Sequence, residues 1–266
     1  MASPDWRLFC EHYDVEIIAE LRFIRFTGAP VINLLGPYMK KWRDAKEKAA
    51  PGSPERFRAK MNLNAPYGKT AMKMVRDEKI PILGHDGIVD MLNTQTEGEG
   101  VYLPYGIFVT AYAREYVIRK AQRFADEGRF IYADTDSIHI LGTDTLDLPI
   151  DPHEFGKFKI EGTFALGKYV RPKAYIHGDA DRRIYSEVRI HRDGRREIVP
   201  EGIKCAGMPD NIKMQILEMP PPQGWERFDP FETFEGKLVK HRVQGGVYLD
   251  AISFSISTTY KRGSML

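Results

Sequence analysis

The residues of this chain best suited to chemistry form one acidic step, Asp134-Thr135-Asp136, set inside an apolar, β-branched and aromatic run from Phe130 to Leu141. Such a run with a polar step at its centre predicts two short strands joined by a tight turn. Side chains alternate across a strand, so positions two apart leave on the same side. Asp134 and Asp136 are therefore expected to face one point beyond the sheet. Two carboxylates there suit magnesium, which takes one or two protein carboxylates and completes its shell with water and substrate phosphates. An acidic hairpin tip is also ordinary turn chemistry, because an Asp side chain bonds the backbone two residues on. Other parts of the chain have to discriminate between these readings.

A second group lies upstream. Lys60, Asn64 and Tyr67 are spaced by four and then three, which puts them along one face of a helix. A lysine there can hold triphosphate oxygens as a point charge, and a flat tyrosine can pack on a base or sugar. The spacing alone fits a polar stripe on an amphipathic helix equally well. Ser53 and Pro54 are a plausible N-cap and first helical residue. Pro66, which lacks a backbone donor, is expected to bend or end this helix, at about 3 kcal/mol in a helix interior. A third group, Lys173 and Tyr175, sits two apart in the strand-like run Gly167–Ile176 and is expected on one strand face, where lysine can meet phosphate and tyrosine a sugar or base.

These groups need scaffolding. Residues 15–27 mix apolar pairs with charges and predict a strand pair or one bent strand, ended by Gly28-Ala29-Pro30. The pattern turns helical from Pro37 to Ala50 and is broken by Pro51-Gly52-Ser53-Pro54. Residues 70–100, with Pro81 and several glycines, read as an irregular excursion with at most one hairpin. Leu103 opens a long helix ending at Gly128, with Ile107, Phe108, Ala111, Tyr112, Ile118, Ala121 and Ala125 as its apolar stripe. Arg114, Arg119, Lys120 and Arg123 are read as its solvated face. Pro220-Pro221-Pro222 reads as a stiff linker, and residues 238–249 as a hairpin with a Gly-Gly turn.

With 266 residues, 42% hydrophobic and 29% charged, the chain can bury a proper core and is neither disordered nor membranous in composition. No apolar run approaches the ~20 residues that cross a bilayer, and Met1-Ala2-Ser3-Pro4-Asp5-Trp6 is unlike a signal peptide, so a cytoplasmic location is expected. Cys10 and Cys205 are too few for a disulfide framework or zinc site and are expected to be reduced. The net charge of +2 argues little, but residues 161–196 carry nine Lys/Arg against five Asp/Glu. A basic segment following an acidic turn suits a polyanion.

Tyr132-Ala133-Asp134-Thr135-Asp136-Ser137 resembles Tyr-x-Asp-Thr-Asp-Ser, motif C of family B DNA polymerases. Lys60-Met61-Asn62-Leu63-Asn64-Ala65-Pro66-Tyr67-Gly68 resembles motif B, Lys-x-x-x-Asn-Ser-x-Tyr-Gly, with Ala65 where the family usually has serine. Lys173-Ala174-Tyr175 resembles the Lys-x-Tyr motif that steadies the primer strand. The three occur in order, and the likeness runs from about Phe9 to Ser257, to the protein-primed branch of bacteriophages with linear genomes.

That resemblance implies an α+β chain: a fragment of the right-hand polymerase fold with an antiparallel palm sheet, helical fingers and a small β-rich thumb. It implies palm at 1–30, fingers at 31–69, an insertion between motifs B and C at 70–100, palm with the catalytic hairpin at 101–203 and thumb at 204–266. Asp134 and Asp136 would be catalytic and hold Mg2+, with Asp136 the direct ligand and Asp134 its support. Lys60, Asn64 and Tyr67 would bind the nucleotide, and Lys173, Tyr175, Thr135 and Arg171 the DNA. Primer-template DNA and deoxynucleoside triphosphates are the implied partners, with no membrane. A terminal protein and a second chain are further candidates.

Motif A, Asp-x-x-Ser-Leu-Tyr-Pro, which supplies the third carboxylate of the two-ion site, is not among these 266 residues, nor is the family's 3′–5′ exonuclease. The expectation is a C-terminal portion, a fragment or one half of a split enzyme whose other chain brings both. A non-catalytic DNA-binding remnant and a metal-dependent nuclease remain the alternatives.

Overall fold

The computed structural model describes residues 1–19, 22, 24–25, 35–98, 102–191, 193–244 and 246–257. Its helices and antiparallel sheets make it α+β. The chain divides into two compact units, Met1–Glu78 with Asn93–Leu141 and Lys79–Leu92 with Gly142–Leu266.

The first unit is mostly helical. Helix α1 (Ser3–His12) comes first, and α2 (Gly36–Lys48) lies against α3 (Pro54–Thr70). Local chemistry explains the start of α3: the Ser53 hydroxyl accepts the Arg56 N–H at 3.2 Å, and Pro54 stands where no donor is needed. Of the two outcomes expected at Pro66, a bend or an end, the end does not occur, and α3 continues to Thr70. Pro66 removes only its own bond to the carbonyl four residues back, and one more turn follows it. Tyr38 of α2 donates to Asn62 Oδ1 at 3.0 Å, and Arg56 donates to the Lys46 carbonyl at 2.7 Å, so the two helices are pinned at two points.

Residues 70–100 are more regular than expected. Strands β1 (Val75–Leu83) and β2 (Val89–Glu97) form an antiparallel ribbon whose outer half groups with the second unit. Most of its residues on both faces are exposed, so no hydrophobic alternation marks it in sequence. Helix α4 (Leu103–Asp126) then buries Gly106, Ala111, Ala121 and Phe124, while Ile107, Tyr112, Ile118 and Ala125 of the expected stripe are exposed. Arg114 and Arg119 are not merely solvated. Arg114 makes a two-point contact with Asp5 at 2.7 and 3.0 Å, and Arg119 grips Glu11 at 2.7 and 2.9 Å. Arg7 reaches Glu115 at 3.4 Å, so exposed charge joins α1 to α4 around buried Leu8. The Arg119 guanidinium holds the Glu11 carboxyl below its ordinary range. Strands β3 (Phe130–Asp134) and β4 (Ser137–Ile140) complete this unit as a hairpin.

The strand expected over 15–27 is not formed by residues 14–19. Residues 20–21, 23 and 26–27, the stop at Gly28-Ala29-Pro30, Gly100, Arg192 and Gly245 lie outside the described residues.

In the second unit β5 (Leu166–Arg171), β6 (Ala174–Gly178), the exposed ribbon β7 (Glu187–Ile190) with β8 (Arg196–Val199), and β9 (Ile203–Cys205) precede α5 (Asp210–Glu218). A three-stranded antiparallel sheet, β5-β6-β9, packs Ala174, Ile176, Ile203 and Cys205 against Ile212 and Ile216 of α5. Pro220-Pro221-Pro222 is not a linker: Pro220 caps, and Pro221 starts, α6 (Pro221–Arg227), because proline's fixed φ and missing donor suit a helix start. The long hairpin β10 (Thr233–Val243) and β11 (Gly246–Ser255) adds Phe234 and Phe254 to the same core. Val243 pairs directly with Gly246, so Gly246 belongs to the ladder and not to a Gly-Gly turn. Both cysteines are free, Cys10 exposed and Cys205 buried, and burial pushes the Cys205 thiol up. Among the described residues no helix is long and apolar enough to cross a membrane.

Candidate active site

The acidic hairpin is hung from the end of α4. Gly128, at φ 69°, donates to the Ala125 carbonyl at 2.9 Å and Arg129 to the Phe124 carbonyl at 2.7 Å, the paired bonds that satisfy the last carbonyls of a helix. The Arg129 guanidinium lies over the buried Phe124 ring, 5.5 Å from its centroid. The same residue closes the hairpin base: its carbonyl accepts the Leu141 N–H at 2.8 Å, and its Nε donates to the Leu141 carbonyl at 3.0 Å. The direction of α4 therefore sets the direction of β3.

At the tip, Asp134 pairs with Ser137, leaving Thr135 and Asp136 as the turn. Thr135 has φ 55°, a conformation that β-branched residues rarely adopt. Short bonds hold it there. The Asp136 N–H donates to the Asp134 carbonyl at 2.6 Å, and the Ser137 hydroxyl donates to that carbonyl at 3.1 Å. The Thr135 hydroxyl donates to Asp134 Oδ1 at 2.9 Å. The half-buried Asp134 carboxylate is thus tied into the turn, while Asp136 is exposed and its side chain bonds to no other described residue. Because Asp136 lies in the turn rather than on a strand, strand alternation does not relate it to Asp134 as expected. Below the tip, Tyr132 meets His139 across the hairpin edge-on at 5.3 Å.

Lys60, Asn64 and Tyr67 are all exposed, and one face of the unbroken α3 carries them. This helix is tied to α4 by a close approach. A Cβ placed on Gly106 would lie 2.7 Å from the Ala71 Cβ and 3.2 Å from its Cα, so only glycine lets the start of α4 reach the end of α3.

Lys173, Arg171 and Tyr175 belong to the second unit. Arg171 pairs with Ala174, so Pro172 and Lys173 are a two-residue turn, with Lys173 at φ 61°. The expectation of a shared strand face is corrected: Lys173 precedes β6, and only Tyr175 is on it. The exposed Lys173 accepts the Ala206 N–H on its carbonyl at 3.0 Å, and Arg171 folds back to donate to the Pro172 carbonyl at 3.2 Å. Among the described residues no group of three or more His, Cys, Asp or Glu side chains gathers to hold a metal ion.

Comparison with known proteins places these geometries in a family. Residues 9–155 match the family model described as DNA polymerase type B, organellar and viral. The chain is 35% identical over 260 residues to the DNA polymerase of Streptococcus phage Cp-1, covering 97% of this chain and 41% of that protein. To the DNA polymerase of Bacillus phage phi29 it is 33% identical over 266 residues, covering 96% and 43%. The structure of phi29 DNA polymerase complexed with primer-template DNA and incoming nucleotide substrates superposes with a TM-score of 0.74 at 32% identity, over 96% of this chain and 43% of that one. The chain spans about two fifths of the length of the relatives it matches. The hairpin carrying Asp134 and Asp136, the motif strings in order and these alignments agree that the chain belongs to the type B DNA polymerases, in their bacteriophage form.

Proposed function

We propose that this chain performs template-directed DNA synthesis as the C-terminal part of a phage-type family B polymerase in the host cytoplasm, and that it needs a polypeptide supplying the remaining fold. The observation that carries this reading is the tip of β3 and β4, where an exposed carboxylate, Asp136, has no partner among the described residues and stands next in the turn to a half-buried one, Asp134. Support comes from the phi29 relative, whose solved complex contains primer-template DNA and incoming nucleotides.

The donor set fits magnesium: both groups are hard oxygen ligands, and the exposed one is open to phosphate and water. When bound there, Mg2+ supplies charge neutralisation at the phosphates. Asp136 would hold it directly, and Asp134, fixed by the Thr135 hydroxyl, would support Asp136. Two ions need a third carboxylate, which we assign to the remaining polypeptide together with the exonuclease. In the reaction a primer 3′-hydroxyl attacks the α-phosphate of a deoxynucleoside triphosphate and pyrophosphate leaves. Lys60 offsets the triphosphate charge, while Asn64 and Tyr67 contact the nucleotide. Lys173, Arg171 and Thr135 meet the DNA backbone, and the Tyr175 ring rests against a sugar or base. We assign 1–30 to palm, 31–69 to fingers, 70–100 to the insertion, 101–203 to palm and 204–266 to thumb.

The test mixes this chain with a polypeptide carrying motif A and the exonuclease and follows extension of a labelled primer. Magnesium-dependent extension by the mixture supports the reading. Primer-template binding without extension in every mixture overturns it in favour of a non-catalytic DNA-binding protein, and degradation of the labelled strand by this chain alone, lost in Asp134→Asn and Asp136→Asn, overturns it in favour of a nuclease. Including a terminal protein in one arm shows whether protein priming applies.

A further inference from the structure

The face of β5 and β6 turned away from the core carries a small aromatic assembly of which the reading above uses only Tyr175. Tyr169 and Tyr175 are directly opposite across the two strands, with rings stacked at 5.4 Å and 29°. His177 is two residues beyond Tyr175 and so shares its face. Although polar, it is only 6% exposed. Phe164 stacks on it at 4.1 Å, and the Tyr175 ring lies 5.0 Å away. The Tyr169 hydroxyl meets His177 Nε2 at 3.0 Å.

The reach of Tyr169 has a specific cause. Gly167 is the residue opposite His177, and a Cβ there would come within 2.8 Å of the Tyr169 ring. Glycine leaves the space in which the ring lies back along the sheet toward the histidine. The backbone of His177 is fixed on both sides, its N–H donating to the Gly202 carbonyl at 2.9 Å and its carbonyl accepting from Tyr185 at 3.0 Å. A buried imidazole on a locked strand is thus a rigid post, and the Tyr169 hydroxyl is moored to it.

From this geometry we infer that Tyr169 and His177 are positioning residues that hold the Tyr175 ring in the orientation with which it meets the primer strand. The inference rests on the proposed DNA contact of Tyr175. Tyr175 is bracketed by two rings, and the hydrogen bond joining those rings removes the freedom of the bracket to open. A ring held before DNA arrives gives up less conformational entropy on binding.

The test has one readout that needs no DNA and one that does. In the free chain, the aromatic 13C–1H signals of Tyr175 are compared between wild type and Tyr169→Phe, which keeps the ring and removes only the hydroxyl. In the assembled polymerase, KM for primer-template and kcat are measured for Tyr169→Phe, His177→Leu, His177→Gln and Tyr175→Ala. Displaced Tyr175 signals are expected in Tyr169→Phe, with KM raised about 3- to 10-fold and kcat little changed, the size of one net hydrogen bond. His177→Leu should match it. His177→Gln should recover most of the wild-type KM, because its amide oxygen can accept the Tyr169 O–H. Unchanged Tyr175 signals in Tyr169→Phe, with Tyr175→Ala still impaired, overturn the positioning role and leave the DNA contact standing. Wild-type KM in Tyr175→Ala overturns the contact itself, and the role in binding with it. Equal loss in His177→Gln and His177→Leu, with no movement of Tyr175, reduces His177 to a packing residue and also counts against the inference.

Discussion

Two hairpin tips in this chain solve the same backbone problem differently. Both use a two-residue turn and place a residue other than glycine at positive φ, Thr135 at 55° and Lys173 at 61°. The first belongs to a two-stranded sheet with half-buried strands. Its turn is fastened by its own side chains, the hydroxyls of Thr135 and Ser137 bonding Asp134. The second belongs to a three-stranded sheet with Ala174 and Ile176 fully buried behind it, and its turn is fastened by a backbone bond from Ala206. A two-stranded hairpin is marginal by itself, whereas a third strand and a packed face give independent stability. The acidic tip thus depends on polar detail and on α4, and the basic tip on the core beneath it.

The largest difference should appear on truncating the residue behind each tip. Ile176→Ala empties part of a closed core and should cost about 2–5 kcal/mol in urea unfolding of the second unit. Ile138→Ala, on the half-buried β4, should cost only about 1 kcal/mol. Equal costs would mean that the two hairpins are supported alike.

Removing the strained residue sharpens the contrast. Left-handed backbone costs roughly 1–2 kcal/mol for a residue with a Cβ, and glycine escapes this while losing about 0.5–1 kcal/mol in chain entropy. Lys173→Gly should therefore stabilise the second unit by about 0.5–1 kcal/mol while weakening primer-template binding. Thr135→Gly also gives up the bond to Asp134, worth about 1 kcal/mol, and should leave stability near wild type. A stabilised Thr135→Gly would show that the hydroxyl does not secure the turn.

These contrasts mark what could be read in the sequence. The acidic hairpin, the Ser53 cap and the Gly128 stop were legible because each is set by neighbours a few residues apart. Pro172-Lys173 was not, since a turn needing φ above zero is usually signalled by glycine and lysine there looks like strand. Pro220-Pro221-Pro222 looked like a linker because the same residue that stiffens a linker also starts a helix. The sequence of residues 70–100 allows for one hairpin, but the length and regularity of the ribbon over 75–97 were not legible, because neither face is buried and its strands carry no alternating pattern. Asp5 and Glu11, which Arg114 and Arg119 grip, lie more than 100 residues away, beyond any local pattern. The site divides in the same way: its residue types were legible, but the turn position of Asp136 and the mooring of Tyr169 on His177 needed the fold.

The smallest effect concerns how α1 is held. Glu11 has a lowered pKa in the folded chain, so its contribution is present above the unfolded value and is lost as pH falls through the folded one. Acidification below the ordinary glutamate range, or added salt, should lower the amide protection factors of α1, measured against the intrinsic exchange rate at the same pH, while those of β6 are kept. Unchanged protection in α1 under both treatments would show that the Arg119 and Glu11 pair does not hold this helix.

The most direct measurement concerns the acidic tip. In primer extension by this chain together with the complementing polypeptide, Asp136→Asn should lower the rate at least about 100-fold if Asp136 holds the metal as proposed. Asp181→Asn, an exposed acidic residue in the second unit, should leave the rate unchanged. Extension at the wild-type rate by Asp136→Asn would contradict the account.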